Sequence, residues 1–189
     1  MLKVKIDKII SRIILAILLI WGCASFFLFT SLSLVKWSVM ILGLVGFILI
    51  FFGLGELFLL LFINFTNLYA FYGFLFTYNL PLYIVMIGLA LVSGASFFIL
   101  GREMVAGEKN FLLILVFFIL VVLELYLALS YWLVNPLSRS LIILLFIYLF
   151  SGFLSSIKGE IFAQKNFRTY LLIVIIILLV LTLTISWGH

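Results

Sequence analysis

Two glutamates lie inside long apolar stretches, and their carboxylates could do chemistry within a membrane. Glu56 lies in the run from Phe47 to Phe62, FILIFFGLGELFLLLF, and Glu124 lies in a later apolar stretch. A charge at bilayer depth costs roughly 2.5–3.5 kcal/mol, so Glu56 is expected to be protonated or to have a partner. No Lys, Arg or His occurs between Lys36 and Arg102. The sequence leaves open a neutral, hydrogen-bonded Glu56 or a contact for a lipid, a proton or a subunit.

The other reactive side chains do not assemble into a catalytic set. Cys23 is the only cysteine, Asp7 the only aspartate and His189 the only histidine. Such a chain offers no pair of histidines for haem, no His-based metal site and no intrachain disulfide. It also has no H-E-x-x-H sequence and no Gly-Lys-Ser/Thr phosphate loop. We therefore expect no activity as an enzyme on its own, and no metal or cofactor bound by this chain.

The composition predicts an all-α integral membrane protein. Of the 189 residues, 68% are hydrophobic and 9% are charged, which is more apolar surface than a water-soluble domain can bury. The net charge of +5 comes from few residues at segment ends. That pattern favours membrane topology and anionic headgroups over nucleic-acid binding. We expect a single multi-pass domain over residues 1–189, in the cell membrane.

Apolar length predicts six transmembrane helices in a bundle. Residues 1–36 form a basic lead-in and the first span, and residues 37–189 form the rest of the bundle. The predicted spans are 13–34, 37–63, 82–100, 111–132, 140–157 and 169–187. A connection at the membrane interface is predicted to begin with Asn64, Thr66 and Asn67 and to end at Pro81. Residues at segment ends are predicted lipid or interface contacts, namely Trp37, Trp132, Trp187, Arg102 and Arg139.

The distribution of Lys and Arg offers seven spans as the alternative. With six spans, six Lys and Arg residues lie on one side of the membrane and five on the other. Such an even division does not determine which side faces the cytoplasm. If residues 37–78 formed two spans that turn at Gly53-Leu54-Gly55-Glu56, the division would become nine against two. Against this turn stand the apolar neighbours Phe51-Phe52 and Leu57-Phe58, which are poorly suited to water. Both span counts remain open at this point.

The order of several short elements resembles subunit III of the haem-copper terminal oxidases. Glu56 within its aromatic-rich run is similar to the acidic residue that the family carries in an apolar helix. Leu80-Pro81, followed by Leu91-Val92-Ser93-Gly94, resembles the family's Leu-Pro start of a helix that ends in small residues. Three later elements are similar in the same order: Leu123-Glu124-Leu125-Tyr126, Ser151-Gly152-Phe153 and Ser186-Trp187-Gly188. The resemblance covers about residues 46–188.

The chain departs from the family pattern at three places. Leu154-Ser155-Ser156 stands where the family has histidines after its Gly-Phe element. Thr169-Tyr170-Leu171-Leu172 replaces the Trp-His-Phe-Val-Asp element of the last helix, and Leu127 stands near the position of a further acidic residue. The resemblance implies a divergent subunit III, or a protein built on the same plan, and the role that those residues serve in the family is not implied for this chain.

The resemblance implies a non-catalytic accessory subunit of a respiratory terminal oxidase. Such a subunit packs on the catalytic subunit, which holds the haem and copper, and binds phospholipid or another membrane lipid between helix groups. Glu56 would be the family's intramembrane carboxylate. The alternative function is a small polytopic transporter or channel-type protein that uses an intramembrane Glu. The two alternatives differ in whether the protein is purified together with haem.

Overall fold

Apolar helices form every regular element of the part of the chain that the structure describes. A computed structural model describes residues 2–102, 110–132, 135–157, 169 and 171–177. Six helices in these ranges are long and apolar enough to cross a membrane. The prediction of an all-α integral membrane bundle is therefore confirmed.

The helices follow one another with short connections. Their bounds are α1 Leu2–Phe29, α2 Ser33–Phe52, α3 Glu56–Thr77, α4 Leu82–Ser96, α5 Phe111–Ser130 and α6 Pro136–Ile157. A π-helical turn, Phe97–Gly101, directly continues α4. Residues 169 and 171–177 are also helical, whereas residues 170 and 178–187 of the predicted span, with Trp187, lie outside the described residues.

The predicted single span 37–63 is wrong, because two glycines divide it into α2 and α3. Gly53 and Gly55 have φ values of 70° and 71°, which belong to the left-handed region that favours glycine. The amide of Gly53 donates to the Ile50 carbonyl (3.2 Å), and the amide of Leu54 donates to the Leu49 carbonyl (3.0 Å). This pair of bonds is a Schellman motif, which ends a helix and satisfies its last carbonyls. The alternative of two spans that turn at this point is confirmed.

The predicted interfacial connection after residue 63 is also wrong, because its polar residues lie inside α3. Asn64, Thr66 and Asn67 are buried, and α3 is the most buried of the six helices. It packs against α1 most extensively, and then against α6 and α4. Asn67 Nδ2 donates to the Leu18 carbonyl of α1 (3.1 Å), and Asn64 Nδ2 donates to Ser96 Oγ of α4 (3.0 Å). Polar side chains are tolerated at this depth because they hydrogen-bond to neighbouring helices.

The α2–α3 turn places five of the seven Lys and Arg residues that the structure describes at one end of the bundle. We call this the basic end: it contains the start of α1, the turn Gly53–Gly55 and the end of α4. Lys3, Lys5, Lys8 and Arg12 lie in the first turns of α1, and Arg102 directly follows the π-helical turn after α4. Lys36 and Arg139 belong to the opposite end. The positive-inside rule then predicts that the basic end faces the cytoplasm.

Candidate functional site

A cleft of about 530 Å³ opens at the basic end. Its polar lining comes from Lys8, Ser11, Arg12, Glu56 and Arg102. Its walls are apolar and include Leu15, Ile50, Leu54, Leu59, Phe98, Ile99 and Leu100. The cleft therefore combines three cations and one carboxylate with apolar walls.

Helix geometry explains how the cations reach one cleft. Lys8 and Arg12 are four residues apart on α1, so they lie one above the other on the same face. Arg12 also lies against the turn: a methyl group on Gly53 would be 2.9 Å from its Nη2 atom. Gly53 is thus required by its backbone angle, whereas the flexible guanidinium could move aside from a Cβ atom. Arg102 comes from the other side of the cleft, directly after the π-helical turn.

The π-helical turn Phe97–Gly101 shapes the α4 side of the cleft. Such turns are rare and occur often at functional sites. Phe97 is fully buried and stacks on Phe118 of α5, with the ring centroids 4.3 Å apart. Its neighbour Phe98 is 44% exposed and lines the cleft. The wider turn therefore anchors one aromatic ring in the core and leaves the next one at the cleft.

Glu56 does not occupy the middle of a span, because it is the first residue of α3. The sequence left open a neutral Glu56 or one with a partner from elsewhere, and folding brings Lys8, Arg12 and Arg102 of other helices to the same cleft. A carboxylate at a helix N-terminus is also favoured by the helix dipole. Glu56 makes an interaction of its own within the structure. It belongs to the charged lining of the cleft.

Glu124 lies within a predicted span, but on the outer face of its helix. The buried side of α5 carries Phe118, Val122, Tyr126 and Leu129. Glu124 is two residues from both Val122 and Tyr126, which is a rotation of about 200° at 3.6 residues per turn. It is exposed in the described structure. Glu56 and Glu124 therefore lie on different surfaces and do not form one site.

Arg139 is held inside the protein, at the end opposite the cleft. It is only 7% exposed. Its Nη1 donates to the Ser130 carbonyl (3.4 Å) and its Nη2 to the Trp132 carbonyl, so it satisfies carbonyls at the end of α5. Its guanidinium also lies 4.5 Å from the ring centroid of Phe76. This position differs from the predicted lipid contact, because these intrachain partners occupy the guanidinium.

The other predicted interface residues that the structure describes lie on the surface. Trp37 is 64% exposed near the start of α2, and Trp132 is 41% exposed just after α5. Arg102 is exposed and lines the cleft. Sequence reasoning missed Lys8 and Arg12 as site residues, although their spacing of four on a helix was visible. The sequence did not predict that these two side chains lie close to the Gly53 turn and to the end of α4.

Comparisons with protein-family models, with curated proteins and with solved structures find no match to this chain.

Proposed function

We propose that this chain is a non-catalytic subunit of a larger membrane assembly and docks through the face of α5 that carries Glu124. The observation that carries this proposal is the outward position of Glu124. Acidic residues within transmembrane segments almost always face a helix bundle or a water-filled cavity, because lipid cannot solvate them. Glu124 faces away from the helices that the structure describes. A helix of a partner subunit that offers a hydrogen-bond donor or a cation would supply the missing environment.

The sequence resemblance suggests the kind of assembly. In this proposal the partner is the catalytic subunit of a respiratory terminal oxidase, and that subunit holds the haem and copper. The present chain contributes packing surface and lipid contacts. The resemblance includes Leu123-Glu124-Leu125-Tyr126, so the element that suggests the family is also the element that carries the outward carboxylate.

Substitution of Glu124 tests the docking face. The tagged full chain is extracted from native membranes in mild detergent, and the size of its complex is measured by native electrophoresis. We expect Glu124→Leu to release the chain from the complex, and Glu124→Gln to retain part of it because the amide still hydrogen-bonds. Leu44→Ala is the control, since Leu44 is 66% exposed on α2. It should leave the complex intact.

Two results would contradict docking at this face. One is a Glu124→Leu complex of unchanged size. The other is a Glu124→Leu chain that is less stable when purified alone, since Glu124 would then be satisfied within its own chain. The stability of the isolated variant is therefore measured beside the size of the complex.

The alternative function, a small transporter or channel-type protein, is favoured by buried oxygens along α3 and α4. Asn64 Oδ1, Asn67 Oδ1 and Ser93 Oγ are buried and have no hydrogen-bond partner within the described residues. Unpaired buried oxygens are suited to water or a partly dehydrated cation. Ion-dependent flux by the purified chain in liposomes, abolished by Asn64→Leu, would favour this function over docking.

A further inference from the structure

We infer that the cleft at the basic end binds the phosphate of an anionic membrane lipid. This inference deepens the lipid-binding part of the proposed function and does not depend on the docking face of α5. It specifies the site and the chemistry: a headgroup phosphate held by Lys8, Arg12 and Arg102.

The charge of the cleft favours an anion. Three cations and the carboxylate of Glu56 leave a formal charge of +2 on its lining. The N-terminus of α3 lies at the same place and has no side-chain cap, so its backbone amides add partial positive charge. Arg and Lys donors of this kind are the groups that recognise phosphate oxygens. The Glu56 carboxylate can accept a hydrogen bond from a headgroup hydroxyl or from one of the cations.

The three cations come from separate parts of the chain. Lys8 and Arg12 belong to α1, whereas Arg102 follows α4, more than eighty positions later. Cations that only set topology need not share a cleft. Here the Arg12 guanidinium lies close to the left-handed turn at Gly53. The fold therefore gathers these charges around one volume.

The walls of the cleft indicate a lipid as the source of the phosphate. Leu15, Ile50 and Leu59 line the cleft and are themselves buried, whereas Phe98 and Leu54 expose apolar surface there. A free phosphate ion gains nothing from apolar walls, whereas an acyl chain buries its surface against them. The cleft also lies at the end of the membrane-spanning helices, which is where headgroups lie.

Lipid retention by the purified full chain tests the site. Native mass spectrometry compares phosphatidylglycerol with phosphatidylcholine on the wild type, Arg12→Gln and Arg102→Gln. Each cation near a headgroup is worth about 1 kcal/mol, so each variant should retain the anionic lipid about fivefold less. Lys36→Gln is the control, because it removes the same charge at the opposite end. It should retain the anionic lipid as the wild type does.

Three outcomes would overturn the inference. The first is equal retention of both lipids by the wild type, and the second is an equal loss in Lys36→Gln and Arg12→Gln, which would indicate general surface charge. The third is displacement of the anionic lipid by millimolar inorganic phosphate, which would assign the cleft to a free anion. Because lipid retention is measured on the isolated chain, a negative result leaves the docking experiment on Glu124 unaffected. A negative docking experiment likewise leaves the lipid result unaffected.

Discussion

A methyl group at Gly22 should loosen the packing of α1 against α3. Gly22 is buried, and a Cβ atom at this position would be 2.6 Å from Asn67 Nδ2 and would also overlap the hydroxyl of Thr66. Neither group can move aside freely. Asn67 Nδ2 donates to the carbonyls of Ile63 (2.8 Å) and Leu18 (3.1 Å), and Thr66 Oγ1 donates to that of Phe62 (3.0 Å). Gly22→Ala must therefore break hydrogen bonds or separate the helices.

The size of the effect follows from three contributions. Overpacking costs about 2 kcal/mol, and loss of one interhelical hydrogen bond in a membrane protein costs about 0.6 kcal/mol. Alanine gains about 0.9 kcal/mol in helix propensity over glycine. Gly22→Ala should therefore lower the free energy of unfolding by about 1.7 kcal/mol, the sum of the two costs minus the gain.

Gly46→Ala is the matched control for this prediction. Its Cβ would meet the flexible ends of Leu19, at 3.3 Å and 3.5 Å, and of Leu59, at 3.6 Å, so packing changes little. Because the gain in helix propensity is the same in both variants, it cancels from their difference. The two variants should differ by about 2.6 kcal/mol in equilibrium unfolding by dodecyl sulfate in mixed micelles, followed by tryptophan fluorescence. Equal stability of the two variants would refute the close packing of α1 on α3.

Three further predictions concern the buried polar groups and the topology. Tyr72→Phe loses the bond from its hydroxyl to the Tyr126 carbonyl (3.2 Å), so it should cost about 0.6 kcal/mol in the same unfolding assay. Tyr126→Phe should cost nothing, since the Tyr126 hydroxyl has no partner within the described residues; a larger loss in Tyr126→Phe than in Tyr72→Phe would contradict this. Arg139→Lys keeps the charge but loses the planar guanidinium that donates to two carbonyls, so it should lower the free energy of unfolding by about 1.5 kcal/mol. An unchanged free energy of unfolding would show that the guanidinium contributes nothing. A membrane-impermeant maleimide should label Leu54→Cys only from the cytoplasmic side and Tyr78→Cys only from the other side, and labelling of both from one side would contradict the turn at Gly53.

The sequence predicted the class of fold because hydrophobicity and helix length are local properties. It also contained both signals for the α2–α3 turn, namely the two glycines and the division of cationic residues. The apolar neighbours of Glu56 outweighed these signals, although the backbone at Gly53 and Gly55 determines where the helix ends. Helix termination by a Schellman motif depends on backbone angles, not on whether the neighbours are polar.

The candidate site was less predictable, since it depends on contacts between distant residues. Lys8, Arg12 and Arg102 meet only because α1, the turn and the end of α4 lie at one end of the bundle. Asn64 and Asn67 were assigned to the interface from their polarity, yet they bond to α4 and α1 within the core. In a membrane protein, a polar residue can mark either a boundary or an interhelical contact. The residue type alone does not distinguish these two positions.

The measurement that tests the proposed function most directly is the haem content of the tagged chain purified from native membranes. A reduced-minus-oxidised absorption spectrum is recorded across the size-exclusion profile. The proposal predicts a haem signal that elutes together with the chain at a constant ratio and is lost in Glu124→Leu. A wild-type chain that elutes without haem, as a self-contained protein that moves an ion in liposomes, would contradict it.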